Sequence, residues 1–422
     1  MGRVIVIGGG AAGMMAAGTA AQAGCDVILL EKNNRLGKKL LITGKGRCNL
    51  TNACEIEEVI DRFAGGGKFL YSALHAFPPV AAWQFFTDRG LDLVVERGRR
   101  VFPASGNAAD VVRVLQDYLR QGGVSVRLNS PVEEIITRGA QPRHIAGVKL
   151  DDGSFLSADA VILATGGASY PGTGSTGDGY VMAEKLGHTL QPLYPALVPL
   201  KVKEKWVKEA SGLNLRNVRA RLLDGQELLG SEFGEMDITH FGVGGPIILT
   251  LSRFVAPRVQ NGKTLRLEID LKPALDDERL DARLQRDFQK YARKSLKNAL
   301  NDLLPKALIP VVIDLSDIPP DRPTHQITRE QRYRLLRLLK GLPLTITGTL
   351  SLSSAIVTEG GVTLDEVEPR TMASRLVKGL FFAGEVLDLA ADTGGFNLQA
   401  AFATGYAAGR HAARAAGAKA LH

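Results

Sequence analysis

Three glycines at the spacing Gly8-x-Gly10-x-x-Gly13 follow the apolar run RVIVI and open an alanine-rich stretch. Backbone N–H groups at such a turn, with the positive end of a helix behind them, can receive a pyrophosphate. Glu31 ends the next apolar run, at the distance where a carboxylate accepts a ribose hydroxyl, and its charge repels a 2′-phosphate. A dinucleotide of the FAD or NAD kind is expected. Just beyond lies LLITGKGRCNLTN, Leu40 to Asn52. Its Gly44 and Gly46 permit close backbone approach, Arg47 and Asn49 offer donors, and Cys48 places a thiol among them. His240, in ITHFGVGG, is a second group suited to acid or base work.

The elements that must position these residues are legible from periodicity. A strand (Val4 to Ile7), a glycine turn, an alanine-rich helix and a second buried strand (Val27 to Leu30) make one βαβ unit. Later, SVRLNSPVEEIITRG and HIAGVKLDDGSFLSADAVILATGG suggest a β-meander, turning at Asp-Asp-Gly and returning to a parallel strand at Val161 to Ala164. VILATGG (Val161 to Gly167) and GLFFAGEV (Gly379 to Val386) resemble the second and third FAD-contact motifs of the glutathione-reductase-like flavoprotein superfamily. That resemblance selects FAD over NAD and implies that Glu385 holds the ribityl chain. GTGSTG also has the glycine spacing, but Ala168 to Pro171 separate it from the strand, so it reads as a loop near the flavin rather than an NADPH site. With no second nucleotide fold, NAD(P)H must dock transiently on the flavin, and an oxidase using oxygen needs none. Asn397 and Gln399 are expected to precede a helix whose dipole can stabilise the flavin's N1–C2=O edge. Asp388, Asp392 and Thr393 share that loop.

Composition narrows the class. The 422 residues contain three cysteines and seven histidines, which offer neither a disulfide framework nor zinc-type ligand spacing. No secretory pattern is read, and the uncharged stretch Val4 to Cys25 has the glycines and alanines of a buried strand-turn-helix rather than a membrane span, so a cytoplasmic location is expected. The formal charge is +8, of which +7 falls between Ala196 and Thr345. Texture divides the chain into a first FAD-binding part (1–191), an inserted β-barrel-like domain (192–273), a small helical domain (274–341), a return strand of the β-domain (342–353) and the rest of the FAD-binding domain (354–422).

TGKGRCNLTN, ATGGASYPGTGSTGDGY, ITHFGVGGP and GEVLDLAADTGGFNLQAAFATGYAAG together resemble the bacterial YhiN/BaiN-like flavoproteins, also called the aminoacetone oxidase family, from end to end of the chain. The resemblance implies an α/β fold: a Rossmann-like FAD-binding domain of the glutathione-reductase-like superfamily, split by a β-barrel-like domain and a helix-two-turn-helix-like one. It implies no metal, and a cofactor set of Gly8, Gly10, Ala12, Gly13, Glu31, Lys32, Gly37, Lys38, Gly44, Gly46, Arg47, Cys48, Asn49, Val132, Thr165, Gly166, Gly384, Glu385, Gly394, Gly395, Asn397 and Leu398. In THFGVGGP, Gly244 stands where the family commonly has serine. Activities attributed to members are oxidation of small amines, reduction of steroid enones, and reduction of a uridine of 23S ribosomal RNA to dihydrouridine. Clusters at Lys201, Lys203, Lys205 and Lys208, at Arg216, Arg219 and Arg221, and at Arg329, Arg332, Arg334 and Arg337 favour the RNA substrate. Hydride delivery to C6 of uracil then needs a proton donor near C5, for which Cys48 and His240 are the candidates. A small-molecule amine oxidase or enone reductase is the alternative.

Overall fold

The apolar runs of the N-terminal third become neighbouring parallel strands. In the computed structural model, which describes residues 2–63, 65–140 and 143–418, Arg3–Ile7 pairs with Asp26–Leu30 on one side and with Ala160–Leu163 on the other. Leu380–Phe382 and Ser125–Arg127 complete a five-stranded parallel sheet at its two edges. The order reverses between Arg3–Ile7 and Ala160–Leu163, and α/β sheets open a ligand crevice at the carboxyl ends of such strands. Both strands end in residues of the glycine motifs, so the crevice is where the motifs meet. The fold class read from the motifs is therefore the observed one.

Helices Ala11–Gln22 and Phe396–Ala415 pack on each other through small residues. A Cβ at Gly405 would strike the Ala12 carbonyl oxygen, and one at Gly409 the Ala16 carbonyl oxygen. Helix Ala108–Gln121 closes on the same N-terminal helix, with the Tyr118 ring where a Gly18 side chain would stand. The expected meander is Val132–Arg138, Arg143–Leu150 and Phe155–Ser157, antiparallel throughout, with its turn closed by the Gly153 N–H donating to the Leu150 carbonyl (3.0 Å).

Two compact units result: residues 1–194 with 352–422, and residues 195–351. In the second, six strands close a barrel in the order Leu200–Val202, Gly242–Gly244, Glu227–Thr239, Asn214–Asp224, Leu265–Asp270, Leu342–Thr349. Alternation fills it: Leu215, Val218, Ala220 and Leu222 point inward from one strand, while Arg216, Arg219 and Arg221 are exposed. Helices Asp277–Lys290, Leu296–Ala299, Ile309–Ser316 and Arg329–Lys340 follow, the first capped by Asp276 and the last by a Thr328/Gln331 capping box. Leu280, Leu284, Leu335 and Leu339 from these helices join the barrel's buried residues in one cluster. Among the described residues no helix is long and apolar enough to cross a membrane.

Replacing Gly405 with valine forces the two helices of the first unit apart. Overpacking of this kind costs ~1–3 kcal/mol, so Gly405→Val is expected to melt at a lower temperature with an unchanged far-UV spectrum; an unchanged melting temperature would show that the helices can separate freely.

Candidate active site

The glycine turn is built as the spacing requires. Gly8 adopts a φ of 105°, with the Ala164 carbonyl oxygen 2.5 Å from where its Cβ would lie. A Gly13 side chain would collide with the Gly8 carbonyl. Gly10 precedes the helix with open space in front of it, and that helix has neither a side-chain cap nor an acid in its first turn. Its first N–H groups therefore have no intrahelical acceptor and point into a cradle of positive potential.

Buried Glu31 is more committed than its spacing suggested. Its Oε2 accepts from the Gly9 N–H (2.7 Å), and its Oε1 accepts from the Asn33 N–H (2.8 Å) and side-chain amide (2.7 Å). A carboxylate has about four acceptor positions, so one is left for a hydroxyl. Neighbouring residues converge on the same place. Gly37 donates to the Gly9 carbonyl (2.8 Å), Lys38 to the Asn33 amide oxygen (3.2 Å), and Ser130, two residues before Val132, to the Glu31 carbonyl (3.0 Å). Lys32 bonds Thr176 and Asp178, and Gly174 packs against Asn33. The GTGSTG loop is thus fastened to the residues following Glu31.

The other two glycine motifs reach the crevice from either side. The Thr165 hydroxyl is buried against Gly179 and has no hydrogen-bond partner among the described residues. Gly384, with φ 75°, lies so close to Ala12 that a Cβ would come within 2.8 Å of the Ala12 Cβ. Glu385 is braced by Lys39 (2.7 Å), the Thr358 N–H (2.8 Å) and the Ser169 hydroxyl (3.1 Å). Lys39, Thr358 and Asn33 were not singled out from sequence. Lys39 differs from its neighbour Lys38 only by its partner, which is distant in the chain. Asp388 accepts from the Gly360 N–H (3.1 Å), and burial raises its carboxyl above the ordinary range.

The loop Gly44 to Asn52 is fused to the loop that opens the C-terminal helix. Gly44, Lys45, Gly46 and Cys48 all have positive φ, between 57° and 83°, two of them without the freedom of glycine. With its amide turned to satisfy every neighbour, Asn49 donates to the carbonyls of Val101 (3.3 Å) and Thr51 (3.1 Å) and accepts from the Gly395 N–H (3.0 Å). Asn52 donates to the Gly394 carbonyl (3.0 Å), and the Thr51 hydroxyl donates to the Gln399 amide oxygen (2.7 Å). Arg47 pairs with Glu96 and stacks on Phe102, 4.3 Å from the ring centre.

Asn397 and Gln399 do not precede the helix but lie in its first turn, because Gly394 and Gly395, at φ 135° and 97°, break the chain immediately before Phe396. The Asn397 amide is spent on the Ala391 N–H and carbonyl (2.9 and 3.0 Å), and buried Gln399 donates to the Phe77 carbonyl (2.8 Å). What this helix end presents is its own uncapped N–H groups, with no acid in the first turn.

The Cys48 thiol is fully buried. Burial pushes it up to about 12, against a smaller downward pull from a Thr43 hydrogen bond. His240 belongs to the other unit, exposed on the turn between Glu227–Thr239 and Gly242–Gly244, edge-on to Phe241 at 4.9 Å. A Cβ at Gly244 would meet nothing nearer than Pro199 at 3.7 Å. The missing serine hydroxyl is thus not excluded by crowding within this unit. Among the described residues no group of three His, Cys, Asp or Glu could hold a metal ion.

The HI0933-like protein Rossmann domain model matches residues 2–411. The chain is 37% identical over 420 residues to the 3-dehydro-bile acid delta(4,6)-reductase of Clostridium scindens, covering 98% of this chain and 99% of that one. It is 32% identical over 413 residues to the ribosomal RNA dihydrouridine synthase of Escherichia coli, covering 96% of each. Among solved structures, the 3-ketosteroid delta1-dehydrogenase of Sterolibacterium denitrificans superposes with a TM-score of 0.56 at 14% identity, over 98% of this chain and 100% of that one, a likeness of fold.

Asn49→Ala breaks the junction of the two loops and leaves buried partners unmatched, at a cost of ~1–3 kcal/mol. A lower melting temperature and a lower flavin-to-protein absorbance ratio are expected; wild-type values for both would remove Asn49 from that role. An acid whose folded-state value is raised stabilises the fold below its unfolded value, near 9 for this thiol, and that contribution is lost as pH rises. Folding stability should therefore fall above about pH 9, by up to ~1.4 kcal/mol per pH unit, and urea titrations of Cys48→Ala should lack that part of the fall.

Proposed function

The chain belongs to the HI0933-like family and is an FAD-dependent oxidoreductase, and from that premise we propose that it reduces the C5=C6 bond of a uridine in 23S ribosomal RNA, with NAD(P)H as external donor. The residues fit FAD: an open cradle at Gly10, one free acceptor position on Glu31, an unpartnered buried hydroxyl on Thr165 and two uncapped helix ends. In this reading the turn at Gly8 to Gly13 holds the pyrophosphate, Glu31 the ribose, Thr165 and Glu385 the chain between nucleotide and ring, and the N–H groups after Gly395 the pyrimidine edge of the flavin. When bound, FAD supplies a hydride to the electron-poor carbon of a double bond conjugated with a carbonyl.

The protein's own part is to hold the substrate and to protonate the adjacent carbon. A proton donor must be reachable by substrate, and exposed His240 meets that condition while sealed Cys48 does not. We assign Cys48 a loop-packing role.

The observation that carries the RNA reading is a set of uncompensated cations. Lys201, Lys203, Lys205, Lys208, Arg216 and Arg219 are exposed on the barrel unit, and none forms an ion pair with another described residue. The helical cluster is divided: Arg332 pairs with Asp281 and Arg334 with Asp317, whereas exposed Arg329 and Arg337 form no ion pair with another described residue. Lys201 lies opposite Gly242, and the Val202 N–H donates to the Phe241 carbonyl (3.3 Å), so the strand of Lys201 borders the His240 turn. Phosphates supply the missing counter-charge. A second reading, reduction of a steroid enone, is favoured by the 37% identity to the bile-acid enzyme.

Nucleosides of 23S rRNA from a strain lacking the gene are expected to lack a dihydrouridine that the wild-type gene restores. In the same strain Cys48→Ala should restore it as the wild-type gene does. An unchanged dihydrouridine level on deletion would overturn the RNA assignment, and reoxidation of the reduced flavin by a steroid enone would then support the second reading.

A further inference from the structure

We propose that the outer face of the barrel hairpin Asn214–Asp224/Glu227–Thr239 is a base-stacking platform, on which Phe233 takes the face of an unpaired base of the RNA substrate while Arg219 holds an adjacent phosphate. The inference rests on the RNA reading above and goes beyond it by naming the surface and the single-stranded form of the RNA.

Phe233 is 47% exposed in the middle of a strand of the filled barrel. Its cross-strand partner is Arg219, directly opposite in the register. Their inward neighbours Val218 and Ala220 are buried, which fixes both Phe233 and Arg219 on the outer face. Two positions away along the strand, on the same face, stand exposed Ser231 and Glu235. The ring therefore stands alone among polar groups and forms no apolar patch of the size that recognises another protein. Arg221, next along the partner strand, is tied to Glu268 at 2.7 Å, whereas Arg219 forms no ion pair with another described residue, the Asp270 carboxylate opposite it being paired with Lys340. One free guanidinium beside one free aromatic face matches the alternation of phosphate and base in an extended strand. Antiparallel barrels suit this task because a rigid sheet holds the ring at no conformational cost on binding. A duplex, whose bases are already stacked on each other, offers no face to Phe233.

The test is binding of a labelled oligouridine, followed by fluorescence anisotropy over a range of salt, to the FAD-loaded full-length protein. Wild-type protein is expected to bind with a strong salt dependence. Phe233→Ala should weaken binding about 5- to 150-fold, since stacking is worth roughly 1–3 kcal/mol per base, and Phe233→Tyr should retain it. Arg219→Gln should lower the slope of log affinity against log salt by about 0.7. Each variant should keep its flavin content and melting temperature, because both side chains are exposed. Wild-type affinity in Phe233→Ala, or failure of the wild type to bind oligouridine, would overturn the platform; the RNA assignment is judged separately, by the dihydrouridine content of the deletion strain.

Discussion

The first unit depends on a contact between two backbones. At Gly395 a side chain would fall on the carbonyl of Thr51, and around that approach Asn49, Thr51 and Asn52 bond to Gly395, Gln399 and Gly394 in turn. Segments more than three hundred residues apart in the chain are held as one piece. The positive φ values of Lys45 and Cys48 become intelligible as its consequence. The chain is bent into a sparsely populated conformation so that three polar side chains reach the other loop, and tertiary bonds hold what local preference would not. Cys48 points inward at the bend, where a small side chain fills the space that the turn encloses.

The same arrangement removes side-chain atoms from solvent and leaves backbone donors in their place. Arg47, Asn49, Asn397 and Gln399 are occupied by protein partners, as are three acceptor positions of Glu31 and most of those of Glu385. Groups held in this way do not reorganise when a ligand arrives. The N–H groups at two helix ends keep their orientation because the side chains around them are already satisfied. Lys39 also sets a formal positive charge against Glu385, so the acidic third motif does not confront an anionic cofactor with an unbalanced charge.

Much of the architecture was legible in the sequence because it follows from local rules. Strand and helix periods and the Gly8 to Gly13 spacing depend on neighbours a few positions away. The family motifs carried the inserted barrel and the helices as well. What remained hidden depends on partners brought together by the fold. Nothing near Asn397 announces that its amide closes on Ala391, and nothing near Lys39 announces Glu385. The start of the last helix was misplaced because two consecutive glycines can end one element or begin the next with equal ease. The charge count located the basic excess between Ala196 and Thr345, but only the pairing of Arg332, Arg334 and Lys297 with carboxylates showed which part of it is spent within the protein.

The barrel unit begins and ends on strands that pair with each other: Leu200 lies opposite Thr349, and the Leu350 N–H donates to the Pro199 carbonyl at 3.2 Å. The two points where the chain leaves and re-enters the first unit are thus drawn together by the inserted segment itself. During synthesis the parallel sheet cannot be completed until Leu380–Phe382 emerges, long after the strand it joins. Closing so long a loop of unfolded chain carries an entropic cost that grows with its length. A barrel already closed takes residues 200–349 out of that loop and leaves only 164–199 and 350–379 to be closed, so folding of the inserted segment prepares the return of the C-terminal strand and helix to the half-built nucleotide fold.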